Sequence, residues 1–191
     1  RSLAFSPDGT QIVTASSDRT ARLWDLQGHF LQALKGHQGW VKSVAFSPNG
    51  QRIATASIDG MVRLWDSQGN LVKDFNQHPS GVTHVAFSPD GTQIATASSD
   101  GTARLWDLQG NLVQEIKGHQ GAVVSVAFSP DGTQIATASS DGTARIWQVE
   151  GLGELLARGC TWLQDYLATH PEAREELQVC DFRERGTEKR E

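Results

Sequence analysis

His37, Ser57 and Asp59 bring an imidazole, a hydroxyl and a carboxylate into one short span that ends at Trp65. Those three groups are the parts of a hydrolytic triad, in which the imidazole takes the serine proton and the carboxylate orients the imidazole. The same residues return as His78, Ser98, Asp100 and Trp106, and again as His119, Ser139, Asp141 and Trp147, each set 41 residues after the last. A triad is a single asymmetric constellation in one cleft, so three equal copies argue for a structural hydrogen-bonding duty instead. Outside these sets His84 is the candidate for acid–base or metal chemistry, and a lone imidazole is thin support for either. No P-loop or dinucleotide-binding fingerprint occurs, and no cofactor is expected.

The elements that carry these residues follow from the same period. Trp24, Trp65, Trp106 and Trp147 are 41 residues apart, as are Phe5, Phe46, Phe87 and Phe128, and the stretch from Phe87 to Arg104 recurs unchanged from Phe128 to Arg145. Between fixed turn signals such as "SPDG" and "SSDG" lie short segments rich in β-branched and aromatic residues, among them "QIATAS" and "TARLWDL". They are too short for helices and suit strands joined by tight turns. Each unit is therefore expected to be a four-stranded antiparallel meander, with units at about 1–36, 37–77, 78–118 and 119–149. A meander has two faces and cannot bury both alone, and a period of this length with four strands marks a β-propeller blade. The fold class is all-β: a partial propeller of four blades.

The paired Gly36-His37 and Gly118-His119, with Trp24-Asp25, Trp65-Asp66 and Trp106-Asp107, resemble the WD-repeat family over roughly residues 1–149. The resemblance implies a network in which the turn Asp accepts from the His, the His meets a strand Ser or Thr, and that hydroxyl meets the indole N–H. Three units depart from the pattern: the first has Ser16, Asp18 and Trp24 but no His, the third has Gln77 where Gly precedes His, and the fourth has Gln148 where the others have Asp.

Copies this alike make the differing positions informative. Trp40 aligns with Gly81 and Ala122; Lys42 with Arg1, Thr83 and Val124; Ser43 with His84 and Ser125; Ile58 with Ser17, Ser99 and Ser140. In the family these positions flank one rim of the disc, so Trp40, Lys42, Ile58, Thr83, His84 and Val124 are the candidates for partner binding, with an aromatic anchor beside a cation and an aliphatic group.

A net charge of −5 offers no basic field for nucleic acid or an anionic membrane, and no apolar run approaches a membrane span. Cys160 and Cys180 match no metal or redox spacing and are expected as reduced thiols in a cytoplasmic protein. From Gly151 the composition shifts, and Leu152, Leu155, Leu156, Trp162, Leu163, Tyr166 and Leu167 have helical spacing, predicting a helical extension over 150–182 and a charged, disordered tail over 183–191. A competing assignment makes 152–159 the outer strand of the fourth blade. The tail resembles segments that close large bacterial WD-repeat signalling proteins, which implies the C-terminal part of a longer chain. The expected function is a non-catalytic scaffold or sensor that presents a rim to a protein or peptide, with missing upstream blades or self-association satisfying its ends. The alternatives are a propeller enzyme with a channel site and a degenerate fragment.

Overall fold

One serine hydroxyl organises the turn that follows each first strand. Ser6 Oγ donates to the Asp8 carboxylate at 2.6 Å and accepts the Gln11 N–H at 2.9 Å. The same pair of bonds joins Ser47 to Asn49 and Arg52, Ser88 to Asp90 and Gln93, and Ser129 to Asp131 and Gln134. A short side chain that satisfies the backbone of its own turn is why "SPDG" and "SPNG" reverse the chain at each recurrence.

The computed structural model describes residues 1–76 and 78–149, within a compact unit Arg1–Val149. Four antiparallel sheets follow one another along the chain. The first contains β1 (Leu3–Phe5), β2 (Gln11–Ala15), β3 (Ala21–Asp25) and β4 (Phe30–Leu34); the second β5 (Val41–Phe46), β6 (Arg52–Ser57), β7 (Met61–Asp66) and β8 (Leu71–Asn76). The third contains β9 (Val82–Phe87), β10 (Gln93–Ser98), β11 (Ala103–Asp107) and β12 (Leu112–Ile116), and the fourth β13 (Val123–Phe128), β14 (Gln134–Ser139) and β15 (Ala144–Gln148). Strand order equals chain order in every sheet, as a meander requires. The helical extension expected at 150–182, the tail at 183–191 and the choice between helix and outer strand at 152–159 lie outside the described residues, as does Gln77.

Strand alternation sends apolar residues to both faces of each sheet, and three cores form between successive sheets. Val13, Ala15, Ala21, Leu23 and Leu34 of the first sheet pack on Val41, Val44, Ile53 and Trp65 of the second. The equivalent residues 41 positions on, Ala54, Ala56, Val62, Leu64 and Phe75, pack on Val82, Val85, Ile94 and Trp106. The third core repeats the pattern with Ala95, Ala97, Ala103, Leu105 and Ile116 against Val123, Val126 and Ile135. Small residues on one sheet receive the branched and indole side chains of the next, which lets neighbouring sheets approach closely.

The turn between the second and third strands needs a left-handed residue at its close. Gly60, Gly101 and Gly142 supply it with φ of 84°, 84° and 82°, but the first sheet has Arg19 there at φ 73°. A side chain in that region is strained by Cβ contacts with its own backbone. Arg19→Gly is therefore expected to raise stability by up to about 1 kcal/mol, read as a higher denaturant midpoint at constant slope. A lower midpoint would show that Arg19 gains more from its surroundings than the strain costs.

Candidate functional site

The recurring polar residues are joined by strand geometry. Trp65 lies opposite Ile53 in the β6–β7 ladder, so its indole reaches the diagonal neighbour on the same face, Thr55. Trp65 Nε1 donates to Thr55 Oγ1 at 3.0 Å, Thr55 Oγ1 lies 2.8 Å from His37 Nε2, and His37 Nδ1 lies 3.0 Å from Asp59. The third sheet repeats this with Trp106, Thr96, His78 and Asp100 at 2.9, 2.8 and 2.9 Å, and the fourth with Trp147, Thr137, His119 and Asp141 at 2.8 Å throughout. An indole N–H can only donate. A carboxylate can only accept, so the neutral histidine carries its proton on Nδ1, directed at the aspartate, and Nε2 accepts from the threonine hydroxyl, which takes the indole N–H on a lone pair.

Here one expectation is corrected. The hydroxyl in each relay is Thr55, Thr96 or Thr137, not Ser57, Ser98 or Ser139. The serines share the threonines' face but sit two residues further along the strand, beyond reach of an indole placed opposite Ile53 or its equivalents. Their hydroxyls instead brace the following turn: Ser57, Ser98 and Ser139 accept the N–H of Asp59, Asp100 and Asp141, and the Ser139 hydroxyl donates to the Gly121 carbonyl at 3.1 Å. The signal was present, since Thr14, Thr55, Thr96 and Thr137 also recur every 41 residues.

The departures from the repeat leave visible marks. In the first sheet Trp24 still donates to Thr14 at 2.9 Å, and Asp18 pairs with Arg22 at 2.6 Å. Asp59 and Asp141 also accept the backbone N–H of Gln38 and Gln120, whereas Pro79 has no N–H for Asp100. Asp66 accepts the N–H groups of Gln68 and Asn70, and Asp107 that of Asn111, which closes the turn into the fourth strand; Gln148 stands at this position in the fourth sheet.

At the rim one frame carries different side chains. The backbone N–H groups of Ile58, Ser99 and Ser140 donate to the carbonyls of Trp40, Gly81 and Ala122 at 3.0, 2.9 and 2.9 Å. The side chains differ over this constant backbone, with Trp40 45% and Ile58 44% exposed. The Arg1 guanidinium lies 4.8 Å above the Trp40 ring, and its Nε donates to Ser17 at 2.8 Å. Lys42, Thr83 and Val124 each sit at a β-bulge, where the ladder skips one residue of the inner strand. Bulges re-aim side chains. Val124 is 48% exposed.

Thr83 and His84, expected with the partner-binding residues, engage the next sheet instead. Thr83 Oγ1 lies 3.0 Å from the Ala97 carbonyl and 2.6 Å from that of Val123, and its one proton serves one of them at a time. His84 Nδ1 accepts the Val126 N–H at 3.5 Å, as Ser43 Oγ accepts the Val85 N–H at 3.3 Å one sheet earlier. Inner strands lie side by side across each joint, so a polar side chain at this position meets the neighbouring backbone before it meets solvent. His84 also borders a cavity of about 540 Å³ lined by Phe5, Phe46, Phe87 and Phe128, and is the one titratable side chain among its lining residues. The lining serines Ser47, Ser88 and Ser129 are held in their turns.

Burial holds the His37 and His78 imidazoles below the usual histidine range, against the pull of Asp59 and Asp100. Burial pushes the Asp59 and Asp100 carboxyls up, but the Gln38 and Met61 N–H groups with His37, and the Thr102 hydroxyl with His78, outweigh it and hold both carboxyls low. The unfolded chain thus binds more protons just below pH 6.5, and again below 3.8, so both pairs lose stability on acidification. The melting temperature should be level from pH 8 to about 7 and fall as pH drops through about 6.5; an unchanged melting temperature down to pH 5 would contradict neutral, buried histidines. Thr96→Val, which leaves Trp106 Nε1 and His78 Nε2 without the hydroxyl between them, is expected to cost about 1–3 kcal/mol by denaturant titration. A loss as large from Thr92→Val, in an exposed turn, would show that the relay adds nothing specific.

The repeat has counterparts in known proteins. The model of the WD domain, G-beta repeat, matches residues 1–25, 28–66, 69–107 and 110–148, one match for each sheet. A human protein, WD repeat and SOCS box-containing protein 1, is 52% identical over 46 residues, which is 22% of this chain and 11% of that protein. Its Xenopus tropicalis counterpart is 52% identical over 44 residues, 22% of this chain and 10% of the relative, and the Danio rerio counterpart 50% identical over 44 residues with the same coverage. The chain thus spans about a tenth of the length of these relatives. With four consecutive repeat matches, each carrying the Trp–Thr pair and three of them the full relay to His and Asp, the chain belongs to the WD-repeat family.

Proposed function

We propose that this chain is a non-catalytic scaffold that binds a protein or peptide through the rim centred on Trp40 and Ile58, within a cytoplasmic signalling protein. WD repeats generally mediate protein–protein interaction, and the observation that carries the assignment to this rim is the constant backbone bond beneath differing side chains. Trp40, Gly81 and Ala122 share one carbonyl contact, yet only the second sheet places an exposed indole over it. Folding does not demand that indole, since the third and fourth sheets form the same contact without one.

The indole and the neighbouring Ile58 offer apolar surface, and Arg1 and Lys42 lend the edge positive charge, which suits a partner segment with an apolar anchor and acidic flanks. Thr83 and His84 fix the joint between the third and fourth sheets.

Trp40→Ala should weaken capture of such a partner by about 2 kcal/mol, roughly thirtyfold, while shifting the melting temperature little. The measurement is quantitative capture by wild-type and variant protein side by side, followed by titration of whatever the wild type alone retains. A large fall in melting temperature with unchanged capture would make Trp40 a packing residue and remove the rim from consideration.

A further inference from the structure

Asn49 stands where the other three sheets have Asp8, Asp90 and Asp131, and it is the only asparagine of the chain followed by glycine. Asn70, Asn76 and Asn111 precede leucine or glutamine. The glycine is fixed by the fold: the turn after each first strand needs a left-handed residue here, and Gly9, Gly50, Gly91 and Gly132 take φ of 68°, 69°, 71° and 74°. An amide that enters this frame in place of the carboxylate therefore has beside it a backbone nitrogen with no neighbouring side chain to hinder attack on the amide carbon.

The closed turn holds both groups. The Gly50 N–H donates to the Ser47 carbonyl at 2.9 Å. Asn49 Oδ1 accepts the Ser47 hydroxyl at 2.8 Å and the Gln51 N–H at 3.0 Å. Closing a ring between them requires the Gly50 nitrogen to leave the Ser47 carbonyl and give up its proton, so the bonds that form the turn also restrain the reaction.

We propose that Asn49 is a site of spontaneous deamidation gated by this turn: it converts only in molecules whose β5–β6 turn has opened, and aspartate is the product the turn takes back. In the open turn the Gly50 nitrogen, its proton lost to solvent base, bonds to the Asn49 side-chain carbon; the carbon–nitrogen bond of the amide breaks, and ammonia departs with a proton taken from water. Water then opens the five-membered imide at one of its two carbonyls to leave aspartate or isoaspartate, so the net change is amide plus water to carboxylate plus ammonium. Aspartate matches the frame of the other sheets, whose carboxylates accept the serine hydroxyl at 2.6 Å, closer than the 2.8 Å to the Asn49 amide, as a charged acceptor does. Isoaspartate lengthens the main chain by one methylene and shortens the side chain by one, so it cannot meet Ser47 Oγ and the Gln51 N–H while Gly50 reaches the Ser47 carbonyl. The site lies at the opposite end of β5 from Trp40 and is independent of the rim.

The full chain, held at physiological temperature in mildly alkaline buffer with increasing urea, tests this by peptide mass spectrometry of Asn49, Asn70 and Asn111. In the unfolded chain Asn49 should convert well ahead of the other two, and in native buffer on the order of tenfold more slowly than in the unfolded chain. Below the unfolding transition the rate should change little with urea, because a turn exposes little surface on opening. Ser47→Ala, which removes the hydroxyl that organises this turn, should speed conversion while circular dichroism remains native; where that variant does not fold, the wild-type urea series decides alone. Asn49→Asp should melt at or above the wild type, and the isolated isoaspartate form below it. Equal rates in native and unfolded chain overturn the gating, and a rate that climbs with urea in step with the unfolding equilibrium overturns its assignment to this turn. An Asn49→Asp variant that melts well below the wild type overturns the return of aspartate to the frame.

Discussion

Every blade of this protein is a sheet with two apolar faces and no means of burying both by itself. That constraint forces the 41-residue period, because each sheet must present to the next what the previous one presented to it. Ala54, Val62 and Leu64 receive Val85, Ile94 and Trp106 just as the corresponding residues of the first sheet receive Val44, Ile53 and Trp65. Stability is thus close to a sum of equal joints between neighbours, with contacts that are local in space and evenly spaced in sequence.

The joints leave a polar problem at each indole, which the relay answers. The Trp106 N–H is carried into a buried environment and would be costly unpaired. Thr96 accepts it, passes its own proton to His78, and His78 in turn donates to Asp100 near the surface. The charge therefore sits where solvent can reach it, and the groups between are neutral. Because the histidine lies outside the strand that carries the threonine, the same bonds tie the loop before each inner strand to the body of its sheet. What looked like catalytic chemistry is the means by which a loop is held in place above an apolar core.

A frame held in this way can carry different side chains without changing shape. The rim carbonyls of Trp40, Gly81 and Ala122 accept equivalent bonds, and the bulges at Lys42, Thr83 and Val124 recur regardless of residue type. Variation is nonetheless not equivalent to surface: Thr83 and His84 vary as freely as Trp40, yet they lie across a joint. Sequence comparison alone treats these positions alike, and only the partner atoms, the Val123 carbonyl and the Val126 N–H, separate them.

The sequence by itself determined the repeat, its strands and its turns, because each depends on neighbours within a few residues: Ser6 with Asp8 and Gln11, alternating apolar residues along "QIATAS", and the aspartate after Trp24, Trp65 and Trp106. It also determined that the histidine, aspartate and tryptophan act together, since their spacing never changes. It did not determine which hydroxyl completes the relay. Thr55 and Ser57 are both in phase, both recur and both point to one face, and the choice rests on which of them lies diagonal to Trp65 once two strands are set in register. Likewise, whether a differing residue meets solvent or the adjacent sheet is decided by how sheets stack, a contact between residues about one period apart, such as His84 and Val126. Local chemistry is legible along the chain; distances across a joint exist only after the sheets have packed.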